Sequence, residues 1–253
     1  MKKDLKALYN KVYAEGAYSK FFTFLSYQEA MVIIESADWE GRKVLEIGCG
    51  EGDLASIIAF HGGNVTGIDY SEEAIKIAKK KYCLDNCQFI CCDYKDISER
   101  YDIVVMKGVL EHTEDPLNTL FHIKTRLLRN KHSKIITSSP SFLNVRGYIW
   151  MTLQLLFDVP MSKSDVHFLC PFDFEKFAAK LDAQLTYKSC FQDWGHGERL
   201  IIDFKKRLKN ALRDAGMKGH VEKLISWLKK TLPYKNYTDF SGANIVYILS
   251  FGK

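Results

Sequence analysis

The sequence predicts an α/β fold, a doubly wound and mostly parallel seven-stranded sheet, on three observations. Short runs rich in Val and Ile alternate with segments of helical periodicity from residue 43 onward. A glycine-rich loop joins the first run to the first of these helices. Acidic residues close the second and third runs, where open parallel sheets bind their ligands.

The elements follow in order. Residues 43–47 read as a buried strand, and Leu54, Ile57 and Ile58 form the inward stripe of a helix closed by Gly62-Gly63. Residues 64–69 are the second strand; Ser71 caps the next helix, with Glu72 and Glu73 in its first turn and Ala74, Ile77 and Ala78 facing inward. Residues 88–92 and 101–106 are the third and fourth strands. Pro116 opens a helix with Leu117, Leu120 and Phe121 on one face, and 134–138 is the fifth strand. A helix over 173–181, a sixth strand near 185–190 and a last strand over 244–251 complete the core. Between the last two strands, residues 192–242 form a helical cap insertion with two amphipathic stripes: Ile201, Phe204, Leu208 and Leu212, then Val221, Leu224, Ile225 and Leu228. The resulting organisation is an N-terminal helical lid over 1–40, a core over 41–191, the cap over 192–242 and the final strand over 243–253.

Composition narrows the class. At 253 residues, with 47% hydrophobic and 26% charged residues, the chain has the makeup of a folded globular protein of one elaborated domain. The strongest apolar stretch, Tyr148 to Phe157, is too short to cross a bilayer. The N-terminal Met1-Lys2-Lys3-Asp4 lacks the apolar run of a signal peptide, so a cytoplasmic location is expected. Seven cysteines suit reduced thiols better than a disulfide framework. Cys83, Cys87, Cys91 and Cys92 match no zinc or iron–sulfur ligand spacing and read as buried small hydrophobes in or beside a strand, so no metal is expected. The net charge of +5 is uneven: from Arg199 to Lys230 ten Lys and Arg face only Asp203, Asp214 and Glu222. Such a block suits an acidic ligand, a membrane surface or a solvated helical face.

The chemistry begins at Glu46-Ile47-Gly48-Cys49-Gly50-Glu51-Gly52. A dinucleotide fingerprint would place its third glycine at Asp53, whereas here the glycines stand at 48, 50 and 52, which argues against a nicotinamide enzyme. Asp69 ends the second strand where a carboxylate can accept from two ribose hydroxyls, and Asp93 ends the third where an acid can reach an adenine amino group.

With VLEIGCGEG at 44–52, GIDYSEEAI at 67–75, CDY at 92–94 and YDIVVMKGVLEHTEDP at 101–116, the sequence resembles the class I S-adenosylmethionine-dependent methyltransferases over roughly residues 40–190. The resemblance implies S-adenosylmethionine as cofactor and S-adenosylhomocysteine as product. It assigns the methionine and ribose part to Gly48, Cys49, Gly50 and Gly52, the ribose to Asp69 with Tyr70, and the adenine to Asp93 with Tyr94. Glu46 supports the loop or the cofactor's amino end, Lys107 and Gly108 line the methionine side, and Tyr9, Tyr13 and Tyr18 belong to a helix that lids the cofactor.

A hydroxyl or amine acceptor gives up a proton, and histidine titrates in the useful range. His112 follows the fourth strand beside the expected methyl position, His167 falls in the segment that walls the acceptor pocket, and His196 lies on the insertion; His112 and His167 are the candidate catalytic residues. The expected activity is methylation of a small molecule, O-methylation slightly favoured over N, on an acceptor that the basic block would suit if acidic or phosphorylated, such as a nucleotide-linked sugar. The competing readings are an RNA methyltransferase and a non-catalytic cofactor-binding module. Nucleic acid is disfavoured because the fourth strand ends in Lys107-Gly108-Val109-Leu110, with none of the motifs of base methylation.

Overall fold

The computed structural model describes residues 10–11, 13–14, 27–159, 165–232, 238 and 241–252. Residues 10, 11, 13 and 14 are helical, and α1 spans residues 27–34. The core then alternates β1 (Lys43–Ile47), α2 (Asp53–Phe60), β2 (Asn64–Asp69), α3 (Glu72–Lys81), β3 (Cys87–Cys91), β4 (Ile103–Lys107), α4 (Pro116–His122) and β5 (Lys134–Pro140). After these come α5 (Val145–Phe157), α6 (Pro171–Lys180), β6 (Gln184–Cys190), α7 (Gln192–His196), α8 (Glu198–Asp214), α9 (Val221–Thr231) and β7 (Asn244–Ser250).

The seven strands form one sheet in the order β3-β2-β1-β4-β5-β7-β6. The first five are mutually parallel, and β7 runs antiparallel between β5 and β6. Strand order reverses beside β1, so the crevice outside the carboxyl ends of β1 and β4 is the natural ligand site. Both faces are covered. Ile33, Leu54, Ile58, Ile75 and Ala78 cover one, and Leu120, Ile123, Phe174 and Ala178 the other. The start of each helix is chemically marked: Ser71 Oγ accepts the Ala74 N–H, and Asp115 accepts the Asn118 N–H ahead of Pro116.

Boundaries moved in interpretable ways. Tyr101 lies before β4 and pairs only in an isolated bridge with Leu128, while β5 runs on to Pro140 because β7 pairs with it over its whole length. α5 was not marked as an element by the sequence pattern, and α7 adds a short helix ahead of the two amphipathic ones. The cysteine reading needs correction as well. β3 is an edge strand, so Cys91 on it and Cys83 before it are exposed rather than buried.

Among the described residues, α7, α8 and α9 lie between β6 and β7. The inner stripes of α8 and α9 pack with α5 in a separate apolar cluster around Trp150, Phe204, Leu208 and Leu228, with the Trp150 and Phe204 rings edge to face at 5.8 Å. Inside this cluster Asp203 accepts hydrogen bonds from Arg146 Nε (3.0 Å), Trp150 Nε1 (3.3 Å) and Arg207 (3.2 Å). No helix among the described residues is long and apolar enough to cross a membrane.

Candidate active site

The loop after β1 is pinned from both sides. The N–H groups of Gly48 and Cys49 donate to the Ile68 carbonyl (2.8 and 2.9 Å), and Gly50 N–H donates to Asp69 Oδ2 (3.0 Å). Ser71 N–H donates to Asp69 Oδ1 (2.8 Å), so one carboxylate ties the glycine loop to the start of α3. Burial pushes the Asp69 carboxyl above its ordinary range, and the N–H donors of Ser71, Gly50 and Tyr70 pull it back. The loop has to be bare. Gly50 and Gly52 sit at φ +53° and +84°, and a Cβ would come within 2.7 Å of Tyr13 Oη at the first and 2.6 Å of Phe89 at the second.

Glu46, on β1 behind this loop, is buried, and its Oε2 has no hydrogen-bond partner among the described residues. Burial raises its pKa to about 8, with Lys107 opposing from the end of β4. Gly108 follows at φ +67°, its N–H donating to the Ser138 carbonyl (3.0 Å). Val109, Tyr13 and Phe89 press on Gly48, Gly50 and Gly52, which leaves the loop no room for side chains. Tyr13 stands over Gly50, and Asn10 accepts from Ser71 Oγ, which brings these two residues against the same corner. Tyr9 and Tyr18 lie outside the described residues.

The third strand's end is less concentrated. Tyr70 is partly exposed beside Asp69, and Asp93 is exposed and caps a short turn by accepting the Lys95 N–H (2.9 Å). Tyr94 turns into the packing against α4, with its ring edge to face with His122 at 5.4 Å and its hydroxyl 3.4 Å from Thr119 Oγ1.

Beyond β4 a second constellation forms. Leu110–His112 make a single turn, and the Glu111 carbonyl accepts the N–H groups of both Val166 (2.9 Å) and His167 (3.1 Å), which docks the 165–167 segment on that turn. Asp165 Oδ1 lies 3.5 Å from His112 Nδ1. His167 Nε2 is 3.2 Å from the Glu114 carbonyl. His196 is elsewhere, buried in α7, which packs against α5. The Glu111 side chain is buried and accepts from Ser139 Oγ at the end of β5 (3.1 Å). Burial raises its pKa to about 8, and Asp165 and Glu29 push the same way. Glu29 is itself buried on α1 and held by Asn244 Nδ2 (2.9 Å).

Asp165, Glu111, Ser139 and Glu29 are residues that sequence reasoning did not single out. The signal for Glu111 was present, an acid in the apolar run Val109-Leu110-Glu111 just past a strand end; nothing in the sequence pointed to the others.

A family model described as a methyltransferase domain matches residues 39–208. Among curated proteins, the chain is 33% identical over 112 residues to the mitochondrial ubiquinone biosynthesis O-methyltransferase of Schizosaccharomyces pombe, covering 42% of this chain and 41% of that protein. It is 29% identical over 147 residues to the ubiquinone biosynthesis O-methyltransferase of Actinobacillus pleuropneumoniae, covering 54% and 59%. The match thus spans about half the length of these relatives. Among solved structures, an S-adenosylmethionine-dependent methyltransferase of Thermotoga maritima superposes over 97% of this chain and 99% of its own with a TM-score of 0.63 at 13% identity. The cyclopropane synthase MmaA2 of Mycobacterium tuberculosis does so over 85% and 79% with a TM-score of 0.54 at 17% identity. At these identities both are likenesses of fold.

Proposed function

The chain belongs to the class I S-adenosylmethionine-dependent methyltransferases, and from that premise we propose that it methylates a hydroxyl group on a small-molecule acceptor. The observation that carries the reading is the pairing of two constellations on one rim of the sheet, the Asp69-pinned glycine loop and the His112–Asp165 pair. The names of the curated relatives support oxygen as the atom methylated.

S-adenosylmethionine supplies a methyl group on a sulfonium, ready for in-line displacement. The residues present fit it. Asp69, which ties the loop to the start of α3, would accept from the ribose hydroxyls, the glycine loop would hold the methionine and ribose part, and Glu46, whose Oε2 has no partner among the described residues, would take the ammonium of the amino-acid end. Tyr13 closes over the loop. On the acceptor side, Asp165 at Nδ1 of His112 favours the tautomer with the lone pair on Nε2, from which the acceptor's proton is taken. His167, fixed against the Glu114 carbonyl, walls the pocket.

An acidic or phosphorylated acceptor fits less well. Glu29, Glu111 and Asp165 border this end, while Lys205, Lys206 and Lys209 point to solvent and Arg207 is engaged by Asp203. Incubation with methyl-deuterated S-adenosylmethionine and a panel of hydroxylated and aminated small molecules, read by mass spectrometry, tests the reading. Label on a hydroxyl oxygen is the expected result; label only on amines would contradict it. His112→Gln should lower kcat by about 100-fold or more while leaving S-adenosylhomocysteine affinity unchanged, because general base assistance acts on the transfer step and not on cofactor binding. An unchanged kcat would remove His112 from that role.

A further inference from the structure

Glu111 is a buried carboxyl with acidic neighbours and, among the described residues, no lysine or arginine in an ion pair with it. Its contacts are the Ser139 hydroxyl on β5 and the turn it belongs to. The charges it feels most come from Asp165 on the docked segment and Glu29 on α1, both of the same sign. Burying a carboxyl without a cation is costly, and a site that keeps one is built either for its neutral form or for a cation that arrives with a ligand.

Position favours the arriving cation. Glu111 follows β4 at its carboxyl end, where strand order reverses, and its Oε1 lies 3.7 Å from the place a Cβ would occupy on Gly108. The neighbouring Val109 reaches over to Gly48, with Cγ2 2.6 Å from the corresponding point there, so the turn bearing Glu111 overlies the glycine loop of β1.

We propose that the carboxylate of Glu111 faces the cofactor's sulfonium from the acceptor side and makes the site prefer the charged methyl donor over its neutral product. This rests on the cofactor being seated over the glycine loop as above. The chemistry is a matter of charge alone. The donor carries a positive sulfur that the product lacks, while the two share their ribose, adenine and amino-acid end. Whatever Asp69, Glu46 and Lys107 do therefore cancels in the ratio of the two affinities, and what faces the sulfur remains.

The sign follows from the raised pKa. In the protein without cofactor, Glu111 is protonated below about 8. A cation beside it favours the carboxylate, so binding the donor expels a proton that binding the product does not. The preference for donor over product should climb with pH towards about 8 and level off above it.

Isothermal titration of the full chain with S-adenosylmethionine and, separately, S-adenosylhomocysteine across this pH range tests the proposal. In wild type the donor should release more protons than the product, as read in buffers of different ionisation enthalpy. In Glu111→Gln the product should bind as in wild type, the extra proton release should vanish, and the preference should fall about tenfold or more. In His112→Gln the climb with pH should persist, which separates Glu111 from the adjacent imidazole. A Glu111→Gln protein that keeps both the preference and its pH dependence overturns the proposal and leaves the cofactor reading intact. If that variant fails to fold, a flat wild-type preference between pH 6 and 9 overturns it instead, and a climb upholds it. Wild-type protein that binds neither compound overturns the proposal together with the reading it rests on.

Discussion

Asp203→Ala should cost about 3 to 5 kcal/mol of stability, a large part of what a domain of this kind possesses. Asp203 is 3% exposed and neutralises Arg146, which is buried on α5 and has its own pKa lowered by that burial. It also receives the Trp150 indole N–H and the Arg207 guanidinium, which sits 5.3 Å above the Trp150 ring. Truncating the acid leaves the Arg146 guanidinium in an apolar cluster and the buried Trp150 indole N–H without its Asp203 acceptor. Because α5, α8 and α9 meet there, the loss should be felt across the whole helical layer. Denaturant titration followed by circular dichroism would show the midpoint falling. The double change Arg146→Met with Asp203→Leu should recover much of it, since an apolar pair of similar size removes the stranded charge. An Asp203→Ala protein as stable as wild type would mean that Arg146 reaches water.

Asp69→Ala should weaken S-adenosylhomocysteine binding by about 2 to 3 kcal/mol, roughly 30- to 150-fold. Two effects add. The carboxylate that would accept the ribose hydroxyls is gone, and the Gly50 and Ser71 N–H groups lose the acceptor that holds the loop in its bare, left-handed shape. Asp69→Asn keeps one acceptor oxygen and should lose less. Calorimetry with the product as ligand measures both variants, and an unchanged affinity for Asp69→Ala would move the ribose site elsewhere.

The sheet was legible because β1, β2 and β4 are short apolar runs that end in an acid or run straight into a glycine, and because Ser71 and Pro116 announce their helices. The glycine loop and Asp69 could be read for the same reason: they are neighbours across one strand–helix–strand unit, and local spacing brings them together. α5 could not be read so easily. Its inward face carries Arg146, Gly147 and Trp150, while Leu155, Leu156 and Phe157 are exposed, which inverts the usual apolar stripe. Arg146 is at home inside only because Asp203 arrives from α8, 57 positions later in the chain. The cluster around His112 and Glu111 hides for a related cause. Asp165 meets His112 across 53 positions, and Ser139 meets Glu111 across 28, through turns whose docking no local pattern encodes. Tyr94 is packed by a partner the sequence does not announce, the edge-to-face ring of His122 on α4.

Titration of the wild-type protein with S-adenosylhomocysteine and with NAD tests most directly the claim that the Asp69-pinned glycine loop is the cofactor seat. The glycines at 48, 50 and 52 and the carboxylate holding Gly50 predict that the adenosyl thioether binds and that the dinucleotide does not. Tight NAD binding with no heat from S-adenosylhomocysteine would contradict the account at its base.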